Sequence, residues 1–331
     1  KEDGQCSAEG GQTAATKLSA NQQVVVVVGP SCSSEAVPGA PILWKQGISS
    51  IGVSSSSPVL TDPNRGPGYD GFLRIAFNDL LMGREMATYV KDVLKLEKVA
   101  TIHDGSPYAE KLIRAFQRNY KELGGDVCAD EAIAPTDVDM RPVLTRIATC
   151  KPKWIYMPVF LAASGHIARQ SKEISGLEGV TLVGTDVVIT KDFLEAAGKA
   201  SVGFQFATTA LEDEAKGKGY GEMIAKYKAK FGEDPVGGFH HYGYDALMVA
   251  AKAIEKVAKT DNDGNTYVGL KALRDALYAT KGYVGLSGPV NCNQFGDCGF
   301  LKLAIYKFVS ESKENFGIGK NPVRHYPEKF E

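Results

Sequence analysis

Short runs of β-branched and aromatic residues alternate along the chain with stretches whose apolar positions recur every three or four residues. The runs are VVVVVG (24–29), SSIGV (49–53), VATIH (99–103), WIYMPV (154–159), TLVGT (181–185) and GFQFAT (203–208). Between them, Leu81, Met82, Met86, Tyr89, Val90, Val93 and Leu94 keep the period of an amphipathic helix. Ser106-Pro107 supplies an N-cap followed by proline at the first helical position, and Gly124-Gly125 a stop, which predicts a helix over 107–123. The same reasoning predicts helices over roughly 139–149, 162–174, 213–230, 239–259 and 267–279. A strand-helix rhythm of this kind predicts parallel α/β layers. With no internal repeat and no low-complexity linker, two lobes would be joined by more than one short crossover.

Composition narrows the class. The chain has 331 residues, enough for about two domains. Lys plus Arg number 38 against 39 Asp plus Glu, so the basic footprint that nucleic acid or anionic lipid selects is missing, and nucleic acid is excluded as a partner. Apolar residues at 44% and charged residues at 23% are ordinary for a globular protein. The longest apolar run, Val24 to Val28, is far below the ~20 residues of a membrane span, and the expectation is a soluble chain. No signal-peptide pattern opens it, so export has to be inferred from other features.

The six cysteines fall into three local pairs: Cys6 with Cys32, Cys128 with Cys150, and Cys292 with Cys298. Each pair could close a disulfide, which would place the chain in an oxidising compartment, the periplasm, cell surface or exterior. Buried free thiols are the alternative. A metal site is disfavoured, because no C-x-x-C occurs and no histidine stands at ligand spacing. Six cysteines allow about 15 pairings, so the partners stay open at this point.

Enzyme signatures are missing: there is no H-E-x-x-H, no G-x-x-x-x-G-K-[ST], no G-x-G-x-x-G after a strand and no G-x-S-x-G elbow. DNDGN (261–265) resembles a calcium loop, but Thr266 stands at its sixth position and Ala272 at its twelfth; it reads as a turn. Of His240 and His241, one should pack and the other be solvated, since adjacent residues do not share a helix face. The informative places are the strand ends, because open parallel sheets bind ligands outside the carboxyl ends of their strands. The first two ends read GPSCSS (29–34) and VSSSSP (53–58). Small hydroxyl side chains there leave backbone N–H groups approachable and add donors, which suits a carboxylate without any cation; serines that merely cap helices are the plainer reading. Later ends deliver Tyr108, Phe160 and Asp186, a set able to hold an ammonium by ion pairing and cation–π attraction.

These segments, in this order, resemble the type I periplasmic solute-binding proteins of ABC transporters, specifically the branched-chain amino-acid (Leu/Ile/Val) receptors. The resemblance spans nearly the whole chain. It is carried by D-x-x-C (3–6) with VVGPSCSS, by GISSIGVSSSSPVLT (47–61), FLRIAFND (72–79), VATIHD-x-SPYAE (99–110), FGEDP (231–235) with YGYDA (242–246), and GYVGLSG (282–288). It implies an α/β fold of two doubly wound parallel-sheet lobes joined by a three-crossover hinge, with crossings near 77, 208 and 285. The N-terminal lobe would be 1–77 and 209–284, and the C-terminal lobe 78–208 and 285–331. It further implies that Ser33 and Ser56 offer hydroxyls to an amino-acid carboxylate, and that the Ser54 backbone touches carboxylate and ammonium. Tyr108 and Phe160 would close over the ligand, with Asp186 paired to the ammonium. The family pairs its cysteines across the positions of Cys6 and Cys32.

Three departures qualify the match. Asp186 stands where the branched-chain receptors carry Glu, one methylene shorter and suited to a differently placed amine, as in a γ-aminobutyrate-like ω-amino acid. Phe160 stands where Tyr is usual. The sequence begins at Lys1, where the family already has a first strand, its helix and a second strand; their loss would leave ladders unpaired, so a fragment, or a β-α-β unit supplied from elsewhere, is expected. The function implied is non-catalytic: an extracytoplasmic, monomeric binding component, periplasmic or anchored at the cell surface, that closes by hinge rotation on a small zwitterion and is recognised by permease subunits. No cofactor or metal is called for. The rivals are an extracellular sensor domain of the same fold, and an α/β enzyme using Asp186 and Tyr108 as an acid–base pair.

Overall fold

The structure is a computed structural model describing residues 1–235 and 237–329. The chain forms two compact units. The first comprises Lys1–Asp79, Lys216–Pro235 and Phe239–Leu301; the second comprises Leu80–Ala215, Gly237 with Gly238, and the chain from Lys302 onward. The divisions at 79/80 and 215/216 lie close to the sequence expectations of 77 and 208, but the last lies at 301/302 instead of near 285. The reason is local bonding. The Arg74 N–H donates to the Gly296 carbonyl at 2.9 Å, and the Cys298 N–H to the Arg74 carbonyl at 3.1 Å, so residues 286–301 stay with the first unit.

In the first unit, α1 (Ala8–Ser19) starts where the Ser7 hydroxyl accepts the Gly10 N–H at 3.0 Å. Strands β1 (Val26–Val28), β2 (Ser49–Gly52) and β3 (Phe72–Arg74) pair in parallel in the order β1-β2-β3. Helix α2 (Ser33–Lys45) connects the first two strands and packs on α1. The helices approach closely because Gly11 faces α2, where an added Cβ would lie 2.5 Å from the Glu35 Cα. Cys6 and Cys32 are joined by a disulfide, and the Glu35 carboxylate accepts the backbone N–H of both, at 2.9 and 3.1 Å. Small apolar clusters (Ala36, Ala40, Leu60 and Phe72; Ala15, Leu43 and Ile48) fill the space beneath.

The second unit holds a seven-stranded sheet. After α3 (Asp79–Thr88) come β4 (Lys98–His103), α4 (Ala109–Glu122), β5 (Asp126–Ala132), α5 (Arg141–Ala148), β6 (Trp154–Tyr156), α6 (Leu161–Ser171), β7 (Thr181–Thr185), α7 (Lys191–Ala197) and β8 (Gln205–Thr209). The strands β4 to β8 are parallel. Two strands from the end of the chain, which the sequence reading did not anticipate, extend the sheet antiparallel beside β8 (Leu303–Lys307 and Val323–Tyr326). One core packs α5, α6 and α7 on the sheet through Leu144, Ile155, Ile167, Leu182, Phe193 and Phe206. The Ser106 hydroxyl accepts the Ala109 N–H at 3.1 Å, so the predicted cap forms, with regular helix from Ala109. Cys128 in β5 is joined to Cys150 beyond α5. Strand β5, DVCADEA, escapes sequence reading because an edge strand needs no apolar face.

The chain returns to the first unit with α8 (Tyr220–Phe231) and α9 (His240–Val257), then α10 (Leu270–Tyr278). His241 is buried, while half-buried His240 takes a 2.8 Å bond with the Tyr220 hydroxyl. DNDGN is a turn, whose Asp261 carboxylate accepts the N–H groups of Asp263 and Asn265. Among the described residues no helix is long and apolar enough to cross a membrane. The most heavily used acceptor in this unit is Asp245 on α9, fully buried, which takes the N–H of Leu286 at 2.9 Å and of Ser287 at 2.6 Å, and the Ser287 hydroxyl at 2.5 Å. Gly285 is glycine because the Asp245 carboxylate occupies the place of its Cβ. Asp245→Ala should therefore lower unfolding free energy by about 3 kcal/mol, the order of losing charge-assisted bonds and stranding buried donors. A shift in urea midpoint at unchanged slope checks it.

Candidate functional site

In the sheet of the second unit, β4 is followed by β5 on one side and by β6 on the other, so strand order reverses between β4 and β6. The space outside the carboxyl ends at such a reversal is where open α/β sheets bind ligands. Tyr108 stands just after β4 at the start of α4, Phe160 just after β6 at the start of α6, and Asp186 just after β7. Their strands are consecutive neighbours in the sheet. The structure brings the three together: the Tyr108 and Phe160 rings lie 6.1 Å apart at 52°, and the Tyr108 hydroxyl donates to Thr185 Oγ1 at 2.7 Å, the residue adjoining Asp186. Phe160 is 37% exposed.

Asp186 is the electrostatic centre of this group. Burial pushes its carboxyl up from 3.8 to about 7, opposed weakly by its own backbone N–H. No cationic side chain offsets the burial among the groups that act on it. Asp186 is half-buried, so its carboxylate loses part of its hydration with no counter-ion in return, and a cation arriving there would offset that loss.

The first unit presents the serine loops. The two strand ends are tied to each other: Ser54 Oγ donates to the Ser31 carbonyl at 2.8 Å, Ser55 Oγ to the Pro30 carbonyl at 3.2 Å, and the Ser57 N–H to Ser33 Oγ at 3.1 Å. Ser33 is the first residue of α2, and its hydroxyl, having accepted from Ser57, keeps its own hydrogen to donate. The backbone N–H groups of Ser54, Ser55 and Ser56 make no hydrogen bond among the described residues. Successive unpaired N–H groups beside a helix N-terminus are donors of the kind that can receive an anion. Ser56 is placed otherwise than its expected role requires: its hydroxyl donates to Asp79 Oδ2 at 2.9 Å while the Asp79 N–H returns to the Ser56 carbonyl at 3.0 Å. That hydrogen is engaged, so Ser56 offers an anion its backbone N–H.

Sequence reasoning missed the side chains behind this loop. Arg74, on β3, is completely buried and donates to the carbonyls of Ser55 and Ser57 at 3.0 and 2.9 Å and to Asp297 Oδ1 at 2.7 Å. Thr61 and Asn78 complete the cluster. The signal that could have found Arg74 was an arginine inside an otherwise apolar strand, FLRIAF.

Comparison with known proteins follows this geometry. Residues 1–296 match the model of a family described as periplasmic binding protein. The chain is similar to a leucine-, isoleucine-, valine-, threonine- and alanine-binding protein of Pseudomonas aeruginosa, 28% identical over 294 residues that make up 88% of this chain and 74% of that one. Among solved structures it is similar to the substrate-binding protein LivJ of Streptococcus pneumoniae in complex with isoleucine, with TM-score 0.79, 21% identity and coverage of 98% of this chain and 86% of that one. It is also similar to a solute-binding protein from R. palustris in complex with benzoate, with TM-score 0.73, 18% identity and coverage of 96% and 81%.

The Asp186 carboxyl generates a prediction about stability. Its folded pKa of about 7 lies above the unfolded 3.8, so between those values the folded chain holds a proton that the unfolded chain has released. Stability therefore falls as pH rises through that window and levels off above it. Asp186→Asn should remove this slope, so that the variant melts progressively higher than the parent between pH 4.5 and pH 8. A melting difference that stays constant across that range would count against the assignment.

Proposed function

The chain belongs to the periplasmic binding protein family, and from that premise we propose that it is the extracytoplasmic substrate-binding component of an ABC transporter for an amino acid or similar zwitterion. The observation that carries the reading is the gathering of Tyr108, Phe160 and an unpaired, half-buried Asp186 at the sheet's switch point. Aromatic faces and a desolvated carboxylate make a seat for an ammonium group, the first by cation–π attraction and the second by charge. Within the first unit, the serine loops offer N–H groups and the Ser33 hydroxyl, donors suited to a carboxylate. The ligands of the two solved neighbours, isoleucine and benzoate, have a carboxylate in common.

On this reading a carboxylate is met by donors that are dipoles, and an ammonium by a group that must ionise to pair with it. A bound ammonium stabilises the charged form of Asp186, so binding expels the proton that burial had retained. The aspartate, one methylene shorter than the glutamate of branched-chain receptors, favours an amine that reaches further, and γ-aminobutyrate belongs in the substrate range beside the aliphatic α-amino acids. Periplasmic or cell-surface residence, supported by three disulfides, and recognition by permease subunits complete the proposal.

A thermal-shift screen over amino acids identifies the substrate, because a ligand at 100 times its dissociation constant adds about 2.7 kcal/mol of stability. Titration calorimetry of the best binder should then show affinity rising from pH 5 to pH 8 and levelling off above about 7, with proton release in the rising part. Asp186→Asn should weaken binding at pH 8 by tenfold or more, on the order of one lost charge-assisted bond, and flatten the profile. Full-strength, pH-independent binding by the variant would refute the role of Asp186.

A further inference from the structure

The serine loop is held from behind, and the chain of bonds that holds it ends at a disulfide. Arg74 has no exposed surface. One nitrogen of its guanidinium bridges the carbonyls of Ser55 and Ser57, at 3.0 and 2.9 Å; Nε donates to Asp297 Oδ1 at 2.7 Å; the remaining nitrogen donates to the Thr61 hydroxyl. In a trans peptide the carbonyl and the following N–H point in opposite directions. A Ser55 carbonyl drawn towards Arg74 therefore turns the Ser56 N–H, one of the three unpaired donors, away from it and outward.

Asp297 in turn depends on the loop that Cys292 and Cys298 close, six residues apart in sequence. Asn293 Oδ1 accepts the N–H of Phe295 and of Asp297, and the Asn293 N–H donates to the Asp297 carbonyl, so the loop fixes Asp297 by its own bonds. The loop is also stitched to β3 on both sides of Arg74, by Gly296 and Cys298. Asn78 Nδ2 steadies the other carboxylate oxygen at 3.1 Å.

We propose that Arg74 is the positioning residue of the anion-binding loop, and that the loop closed by the Cys292–Cys298 disulfide, through Asp297, sets its geometry. The assignment rests on the carboxylate reading of the serine loops. It adds that carboxylate recognition is governed by residues that do not touch the ligand. A buried guanidinium is suited to the task because its planar fork fixes several acceptors at once, which a lysine cannot do.

The test uses Asp297→Asn, the pair Cys292→Ser with Cys298→Ser, and Cys128→Ser with Cys150→Ser as a control in the other unit. Hydrogen exchange at the Ser57 amide in ligand-free protein reports loop order directly. Titration of L-isoleucine and γ-aminobutyrate, each against its carboxamide, reports preference for the carboxylate. Asp297→Asn and the 292/298 pair should each lower Ser57 protection and carboxylate preference by about tenfold, one bond's worth of free energy, while the 128/150 control changes neither. Unchanged Ser57 protection in both loop variants, with only a lower melting temperature, would overturn the proposal and leave the network a stability element. Failure of the parent chain to bind either probe would contradict the amino-acid reading alone, since the exchange measurement still decides the role of Arg74. Should Asp297→Asn fail to fold, the cysteine pair carries the test.

Discussion

A guanidinium buried without solvent must find acceptors in the protein for nearly all its donors, and much of the first unit is arranged around meeting that demand for Arg74. The demand brings together segments distant in sequence: β3, the 55–61 loop, Asn78 and the 293–298 loop. An ion pair of this kind is weak evidence for net stability, because desolvation offsets much of its Coulomb gain. What it does provide is geometry. Removing either partner strands the other, so alternatives in which the serine loop relaxes are penalised. The same bonding explains why residues 286–301 belong to the first unit although the resemblance places the boundary earlier.

The second unit follows the opposite principle. Its hydrophobic core is continuous and its sheet well paired, yet one carboxyl at the switch point has burial without compensation. A group whose ionised form the fold disfavours costs stability near neutral pH, and natural structures hold such groups mainly at functional sites. Tyr108 and Phe160 follow neighbouring strands of the same sheet, with their rings 6.1 Å apart.

Much of this was legible in the sequence, and the exceptions have physical causes. Each of the six β-rich runs overlaps an observed strand, and the helix beginning after Ser106 is capped by that residue, because alternation and capping are local properties. Strand β5 and the two strands near the end of the chain were missed: an edge strand carries no diagnostic apolar face, and antiparallel additions depend on long-range pairing. Tyr108, Phe160 and Asp186 were placed after strand ends by the sequence, because strand ends are predictable. Arg74 and Asp297 were not, since 223 residues separate the partners and only the folded chain brings them together. Ser56 was assigned a ligand hydroxyl by resemblance, and its engagement with Asp79 became visible only with the partner in place.

The two units leave groups of opposite character unsatisfied. The first unit leaves neutral donors unpaired, which attract an anion without repelling a cation at longer range. The second leaves an acid that is half-ionised near pH 7 and attracts a cation only as far as the cation itself stabilises the charge. Unpaired polar groups are costly to desolvate, so within each unit the free-energy gain falls to a ligand group of matching character: an anion at the N–H groups of Ser54 to Ser56, and a cation at Asp186, where it favours the ionised form that burial opposes.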